Sequence, residues 1–404
     1  MIPTLAWRNI WRNPTRSFVI IGAIVLGIWA LVFMLSFTVG MVQSYVDNAI
    51  KNGIGHLQVH QAAYREEAKV THYFFTTDLP LAAWQADSRI TGVALRTLTQ
   101  AMIASSRSTR GVQVRGIDPE AEVHTTPIEQ QIVEGDFLPG DKKNPIVIGV
   151  ELAKKLQVKI RSKVVLTFQD LNGDITAGAF RVVGLYDSGN KMLNESVVLV
   201  RRADLNRLLG QEDIAHELSF LLSDITQLPA VQREVAASLP KLLVEDYREV
   251  APDLQLYEGQ IQTSANIFML IIMLALLFGI VNTMLMAVLE RYRELGMLMA
   301  IGMNKVRVFG MIVLETILLA LLALLPGLLL GWATVSWLAQ TGIDLTTFRG
   351  GLSQFGMSTV VYPKLQSELY GQFAVAVCLT AIVGAIYPAW KAIRLRPVEA
   401  MRKI

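Results

Sequence analysis

Charge and cysteine are both scarce in this chain of 404 residues. Asp, Glu, Lys and Arg make up 18% of it, whereas soluble domains carry about 25%, and such depletion is typical of a protein that lies partly in a membrane. The net charge of +3 is small and no Lys/Arg-rich block occurs, so no nucleic-acid partner is expected. The single cysteine, Cys378, excludes an intrachain disulfide.

Motifs of several enzyme classes are missing as well. The dipeptide Gly-Lys does not occur, so the chain has no P-loop for ATP. No Gly-x-Ser-x-Gly or His-Glu-x-x-His element occurs either, which counts against a membrane-embedded hydrolase. We therefore predict no catalytic residue, no cofactor-binding residue and no metal site in this chain.

Long apolar runs are what the sequence does contain. Each is long enough to cross a bilayer, because a helix rising about 1.5 Å per residue needs about 20 residues to do so. The first is too long for the apolar core of a secretory signal and is interpreted as a retained anchor. The four uncharged runs are residues 18–42, 265–289, 316–339 and 369–390.

Lys and Arg cluster at alternate ends of these runs, which predicts their orientation. Both termini and the segment between the second and third spans are expected in the cytoplasm, and the chain crosses the membrane several times. The predicted domains are 1–46 (an N-terminal helix and the first span), 47–264 (an extracytoplasmic domain) and 265–404 (three further spans and a cytoplasmic tail). The basic residues on the cytoplasmic side are Arg8, Arg12, Arg16, Arg291, Arg293, Lys305, Arg307, Lys391, Arg394, Arg396, Arg402 and Lys403.

The segment 47–264 has the patterns of a folded mixed α+β domain, in two lobes, inserted between the first two spans. Alternating apolar residues predict strands at 55–60, 111–117, 163–169 and 180–186. Helical patterns occur at 150–158, 202–210 and 228–239. The fold class is therefore an α-helical membrane protein with four spans and one large α+β insertion.

Two short segments lie next to the spans. The first contains Trp7, Arg8, Trp11 and Arg12, which suit a helix in the inner headgroup layer that Pro14 ends. Alternatively, this segment is a positively charged flank that only sets the orientation of the first span. The second is 289–303, where we expect the second span to continue as helix from Glu290 to Glu294 and to bend at Gly296. Gly302 then ends a short apolar turn, and Asn304 caps the third span. On residues alone, this hairpin either docks a partner or lies along the lipid surface.

Four stretches, in order along the chain, resemble the FtsX-like/MacB-type ABC transporter permeases. They are "LAWRNIWRNPTRS" (5–17), "IVEGDFLPGDKKNPIVIGVELAKKLQVKIRSKVVL" (132–166), "LERYRELGMLMAIGMNKVRVFGMIVLET" (289–316) and "YPAWKAIRLRPVEAMR" (387–402). The last has Pro388, Ala392, Pro397 and Ala400 at the family's positions. Within the family, "GHLQVH" (55–60) is most similar to the lipoprotein-releasing subgroup. His56 and His60 in this stretch are interpreted as surface positions on an exposed strand edge, about 13 Å apart and too distant to share a metal ion.

The resemblance implies a type VII permease of the bacterial inner membrane that is itself not an enzyme. A separate cytoplasmic ATPase dimer would bind ATP and Mg²⁺, and two permease copies, identical or different, would surround it. The periplasmic domain would change shape to release lipoprotein or other lipidated or hydrophobic cargo, with membrane lipid and a periplasmic carrier or adaptor protein as further partners. The alternatives are a MacB-like exporter of peptide, toxin or drug, and a regulator of a cell-wall enzyme. The implied ATPase-coupling residues are Glu290, Arg293, Glu294, Gly296, Met297, Leu298, Met299, Ala300 and Gly302.

Glu315 is a carboxylate at the start of the third apolar run, where burial in hydrocarbon is costly. Three roles are open: a structural contact with neighbouring helices, a direct part in coupling, and a proton relay. Further along the same run, Gly327 and Gly331 are spaced for close helix packing.

Overall fold

A computed structural model describes residues 2–77 and 79–394. The expected closing motif at Pro397 and Ala400, and the basic residues Arg396, Arg402 and Lys403, lie outside this range. The helices are α1 Ile2–Arg12, α2 Pro14–Ala49, α3 Ala62–Glu66, α4 Leu81–Gln85, α5 Pro119–Glu122, α6 Val150–Leu156, α7 Lys191–Ser196, α8 Arg202–Leu209, α9 Leu228–Ser238, α10 Tyr247–Val250, α11 Pro252–Glu290, α12 Tyr292–Ala300, α13 Lys305–Thr341, α14 Arg349–Leu352 and α15 Ser367–Ile393.

The strands are β1 Leu57–His60, β2 Phe74–Phe75, β3 Ile90–Ala104, β4 Thr109–Ile117, β5 Ile132–Gly135, β6 Pro145–Gly149, β7 Lys163–Gln169, β8 Ile175–Tyr186, β9 Val197–Arg201, β10 Ile214–Ala215, β11 Glu217–Leu222, β12 Leu243–Asp246, β13 Ile343–Asp344 and β14 Val360–Val361. All four predicted strand segments and all three predicted helical segments of the insertion are confirmed.

Four helices among the described residues are long and apolar enough to cross a membrane, and they contain the four predicted spans. They are α2, α11, α13 and α15, and a π-helical turn, Ile50–Ile54, extends the first of them. The described chain divides into two compact units. One, the membrane unit, holds these four helices. The other, the inserted domain, combines Gln43–Glu258 with Leu345–Thr359.

Glycines bring the helices of the membrane unit close together. A Cβ atom built on Gly331 would lie 2.8 Å from Val32 Cγ1, and one on Gly327 would lie 3.0 Å from Ile28 Cβ, so α13 approaches α2 along this face. Gly384 of α15 faces Ile280 of α11 in the same way. Trp29 Nε1 also donates to Thr334 Oγ1 at 3.1 Å. The predicted packing role of Gly327 and Gly331 is confirmed.

A ten-stranded sheet forms the core of the inserted domain. Its order is β12-β1-β11-β3-β4-β9-β6-β8-β5, and β7 pairs with β3 and β8. The pairs β4–β9 and β6–β8 are parallel, and the other pairs of this sheet are antiparallel. Strands β6 and β9 are buried almost throughout, as expected for strands with neighbours on both sides. The division into two lobes stays a prediction.

The interpretation of His56 and His60 as exposed edge positions is wrong. Strand β1 pairs with β11 on one side and β12 on the other, so it is an interior strand. His60 is 5% exposed, and its Nδ1 lies 3.2 Å from the carbonyl oxygen of His216. His56 Nδ1 accepts from Leu222 N at 3.0 Å. The edge strand β12 lies nearly 200 residues further along the chain, and the local pattern of β1 carries no sign of it.

Candidate coupling site

The junction between the second and third spans is a separate short helix, and it starts earlier than the sequence suggests. Helix α11 ends at Glu290, Arg291 leaves the helical conformation with φ −96° and ψ 18°, and α12 begins at Tyr292. The expected continuation through Glu294 and the bend at Gly296 are therefore wrong: Gly296 is buried inside α12.

The end of this hairpin follows the prediction. Gly302 has φ +100°, a conformation that glycine adopts at little cost, and it closes the turn after α12. Asn304 then caps α13, with its side-chain oxygen accepting from Val306 N at 3.2 Å. The two long helices are thus joined by a compact segment of fixed length.

Helix α12 has one inward and one outward face. Leu295 is buried, and Leu298 and Met299 are half-buried against the core of the membrane unit. Met297 is 52% exposed and Ile301 is 79% exposed. Together with Ala300, which is also exposed, they lie at the i, i+3 and i+4 spacing of one helical face. The exposed apolar tip is therefore Met297, Ala300 and Ile301, whereas Leu298 and Met299 serve the helix's own attachment.

Glu290 and Glu294, two of the implied coupling residues, form ion pairs with arginines of the N-terminal helices. Glu294 accepts from Arg12 of α1 at 2.5 Å, and Glu290 accepts from Arg16 of α2 at 2.9 Å. Arg293 is exposed on the same side of α12 as Met297. The two glutamates thus tie the junction to the N-terminal helices.

Glu315 lies at the buried centre of the same network. Arg291 Nη1 donates to its carboxylate at 3.1 and 3.2 Å, and Asn9 Nδ2 donates to it at 3.4 Å. Arg291 Nη2 also donates to the backbone oxygen of Asn9 at 2.9 Å. This geometry is that of a structural contact between helices, the first of the three roles considered for Glu315. The sequence pointed to Glu315 but not to Asn9, Arg16 or Arg291, because charges in separate segments do not reveal their partners.

We call this set the junction network. It balances in charge, because three guanidinium groups face three carboxylates, and it joins α1, α2, α11, α12 and α13. Its members are Asn9, Arg12, Arg16, Glu290, Arg291, Glu294 and Glu315.

The N-terminal helix α1 has the predicted two-sided character. Ala6 and Ile10 are fully buried, whereas Trp7 and Trp11 are exposed and pack edge to face at 6.0 Å. Arg8 and Arg12 are exposed as well. Ser17 Oγ donates to the carbonyl oxygen of Ile10 at 2.6 Å, which fixes the corner between α1 and α2. An outward face of tryptophan and arginine suits the headgroup layer of a membrane.

Comparison with known proteins gives two family matches that cover most of the chain. Residues 17–238 match the MacB-like periplasmic core domain, and residues 266–397 match the FtsX-like permease C-terminal domain. The first match alone spans more than half of the 404 residues.

Three relatives align along nearly the whole chain. The lipoprotein-releasing system transmembrane protein LolC of Xylella fastidiosa is 22% identical, covering 97% of this chain and 95% of that protein. LolE of Haemophilus influenzae is 23% identical, with 96% and 95% covered. The macrolide export ATP-binding/permease protein MacB of Nitrobacter winogradskyi is 26% identical, and the chain spans 58% of its length. This protein belongs to the ABC transporter permeases of the LolC/MacB type.

Proposed function

We propose that this chain carries ATP-driven motion from a separate cytoplasmic ATPase to its inserted domain in the periplasm, and that this motion releases lipoprotein or other lipidated cargo from the bacterial inner membrane. Permeases of this family work with an ATPase partner. The observation that supports the coupling role most directly is an exposed apolar helix face on α12 that is held to α1 and α13 by the junction network.

The outward face of α12 suits a protein partner. Met297 and Ile301 are 52% and 79% exposed and lie next to each other on one helical face, and contiguous exposed apolar side chains mark an interaction site. Methionine also adapts its shape to a partner's groove. We infer that the ATPase covers Met297, Ala300 and Ile301.

A coupling helix must also transmit force without bending. Helix α12 is anchored by buried Leu295 and by the ion pair of Glu294 with Arg12. The ion pair of Arg291 with Glu315 fixes its N-terminal end to α13. A displacement of α12 would therefore move α1 and α13 with it. The buried ion pair of Arg291 with Glu315 would therefore hold the connection between the second and third spans rigid.

The cargo class rests on the relatives. LolC and LolE are aligned over 95% of their lengths. Inside the membrane unit, an apolar groove of about 360 Å³ separates α2 from α11, and its walls include Val19, Ile24, Gly27, Leu276 and Thr283. Its lining suits an acyl chain. The groove lies in the half of these helices nearer to α12.

The second candidate function is export of peptide, toxin or drug. The MacB relative supports it, with 26% identity across 97% of this chain.

The docking of the ATPase can be tested with charge substitutions on α12. Met297→Glu and Ile301→Glu place a carboxylate in the proposed contact, and each is expected to reduce co-purification of the ATPase at least tenfold while membrane insertion is unchanged. Met192→Glu is the matched control, because Met192 is an exposed methionine of the inserted domain. Normal assembly of both α12 variants would refute this docking surface.

The cargo can be tested on the assembled transporter in nanodiscs. We expect acylated protein to raise the ATP turnover of the complex, and unacylated protein, peptides and macrolides to leave it unchanged. Stimulation by peptides or macrolides instead would select the exporter. If acylated protein still raises ATP turnover when the chain carries Met297→Glu or Ile301→Glu, the proposed coupling route through α12 is wrong.

A further inference from the structure

The inserted domain contains a cluster of buried charges close to the end of the first-span helix. Arg96 of β3 is fully buried, and its guanidinium donates to Glu122 at 2.7 Å and to Glu217 at 2.6 Å. It also donates to the backbone oxygen of Gly53, in the turn that follows α2. Both glutamates of the cluster are thus engaged by a single arginine.

A second arginine, Arg115 of β4, lies beside this triad without a partner of its own. Its Nε atom is buried and unbonded, and its guanidinium forms no ion pair in the part of the chain that the structure describes. Burial lowers the pKa of Arg115, as does the charge of Arg96, and these effects outweigh the attraction of Glu217 and Glu122. Glu122 and Glu217 balance the charge of the two arginines, but their ion pairs go to Arg96, and a buried guanidinium whose Nε has no hydrogen-bond partner is costly, so its retention calls for an explanation.

The backbone around Arg115 makes room for its guanidinium. Gly53 has φ +138°, which side-chain-bearing residues rarely adopt, and a Cβ atom there would overlap Arg115 Nη1. Arg115 faces a cavity of about 330 Å³ within the inserted domain. Gln113 and Asn190 also line this cavity. The space is large enough for a polar group.

The position of the cavity suggests where a ligand would come from. Its wall includes Tyr45 and Asn48, in the last turns of α2, and Asp253 and Leu254, in the first turn of α11. These turns directly follow the first span and precede the second, so they are the parts of the inserted domain nearest in sequence to the bilayer. Of the two carboxylates on the wall, Glu217 is already paired with Arg96, and Asp253 is exposed.

We propose that this cavity binds a phosphate group through Arg115. A phosphate offers several acceptor oxygens to the planar fork of a guanidinium, which is the geometry that arginine recognises best. Phospholipid headgroups and free phosphate both carry this group. With a zwitterionic headgroup, exposed Asp253 is placed to meet the ammonium. Such a ligand would join the two ends of the inserted domain where they meet the spans. This inference is independent of the transported cargo.

The test uses the full chain, purified and delipidated in detergent. The thermal unfolding midpoint is measured with inorganic phosphate or chloride at equal ionic strength, and then in nanodiscs of phosphatidylethanolamine, phosphatidylglycerol or an uncharged glycolipid without phosphate. Saturating ligand is expected to raise the midpoint of the wild-type chain by about 5 °C. Arg115→Met should abolish this response, and Arg110→Met, at an exposed position of the same strand, should keep it.

The two sources of phosphate give different results. A response to inorganic phosphate in detergent identifies a free anion as sufficient, whereas a response only to the two phospholipids identifies a headgroup. Native mass spectrometry of the wild-type chain checks the stoichiometry without any variant, and one bound phosphate or phospholipid is expected. If no phosphate compound shifts the midpoint or remains bound, or if the glycolipid works equally well, water fills the cavity and the proposal is wrong.

Discussion

At the scale of single residues, the buried pair of Arg291 and Glu315 decides how the junction is held together. Each group is buried, and each is the other's main counter-charge at 3.1 Å. Removing one partner of such a pair is expensive because it leaves the other charge buried and unpaired. Replacing both with apolar groups removes the two desolvation costs along with the attraction.

We therefore predict strong coupling between these two positions. Arg291→Met and Glu315→Met should each destabilise the membrane unit by about 3 kcal/mol, and the double variant Arg291→Met/Glu315→Met should lose much less than their sum. Thermal unfolding in detergent measures all three variants. Additive losses would show that the two side chains act independently. The ATP turnover of the assembled complex then shows whether a variant that keeps its stability also keeps its function.

His216 is a residue for which burial predicts a pH dependence. Its Nδ1 accepts from Leu98 N at 3.2 Å, and its Nε2 lies 2.8 Å from the backbone oxygen of Val70. Burial lowers the pKa of His216 to about 4. The folded protein thus keeps a neutral ring at pH values where the unfolded chain, with an ordinary histidine pKa near 6.5, takes up a proton.

The sign of this effect follows from proton uptake. Between about pH 6.5 and pH 4 the unfolded state binds the extra proton, so stability falls as the pH falls, by about 2 kcal/mol between pH 7 and pH 5. His216→Gln should remove this contribution from the pH profile of the unfolding midpoint. His124→Gln, at an exposed position, is the control and should keep it. Equal profiles for His216→Gln and the wild-type chain would contradict the assignment.

At the scale of elements, the break between α11 and α12 shows what local pattern does not determine. Gly296 was the natural place for a bend because glycine is flexible, yet the chain bends at Arg291. The reason lies in Arg291's partners: its guanidinium must reach both Glu315 and the backbone of Asn9. These contacts pull the backbone out of the helix at Arg291, and the tertiary contacts outweigh the intrinsic propensity.

The contact between α2 and α13 gives a prediction about whole helices. Gly331→Leu should push the two helices apart and destabilise the membrane unit by about 1–3 kcal/mol, because the nearest atoms belong to the stiff side chain of Val32. Gly310→Leu is the matched control in the same helix, since a Cβ atom there meets no atom within 4 Å. The thermal unfolding midpoints of the two variants are compared in detergent. A Gly331→Leu protein as stable as Gly310→Leu would mean that this face of α13 is not closely packed.

At the scale of the whole molecule, the coupling proposal requires α12 and the inserted domain to lie on opposite sides of the membrane. Cys378 is the natural protein's single cysteine, so Cys378→Ser provides a background for thiol labelling. A cysteine at Met192, in the inserted domain, should react with an impermeant reagent on intact spheroplasts. A cysteine at Ile301 should react only after permeabilisation. Labelling of both in intact spheroplasts would refute the proposed orientation and the relay with it.

The sequence by itself determined the class of the molecule. Four uncharged runs of sufficient length predict four membrane helices. Burying charge in hydrocarbon is costly, so charged residues are avoided along the whole length of a span. Strands such as β7, whose bounds match the predicted 163–169, were found because one face is buried and the alternation is local. Asn304 and Gly302 were found for the same reason, since caps and turns depend on a few neighbouring residues.

Only the tertiary structure decided which residues meet. Asn9, Arg12 and Arg16 contact Glu315, Glu294 and Glu290 from positions 306, 282 and 274 residues away in the chain. The strand that covers β1 comes from the far end of the inserted domain. An isolated charge or histidine looks the same in sequence whether it is exposed or paired. Pairing is set by where helices and strands pack, and that packing is a property of the whole chain, which no local pattern records.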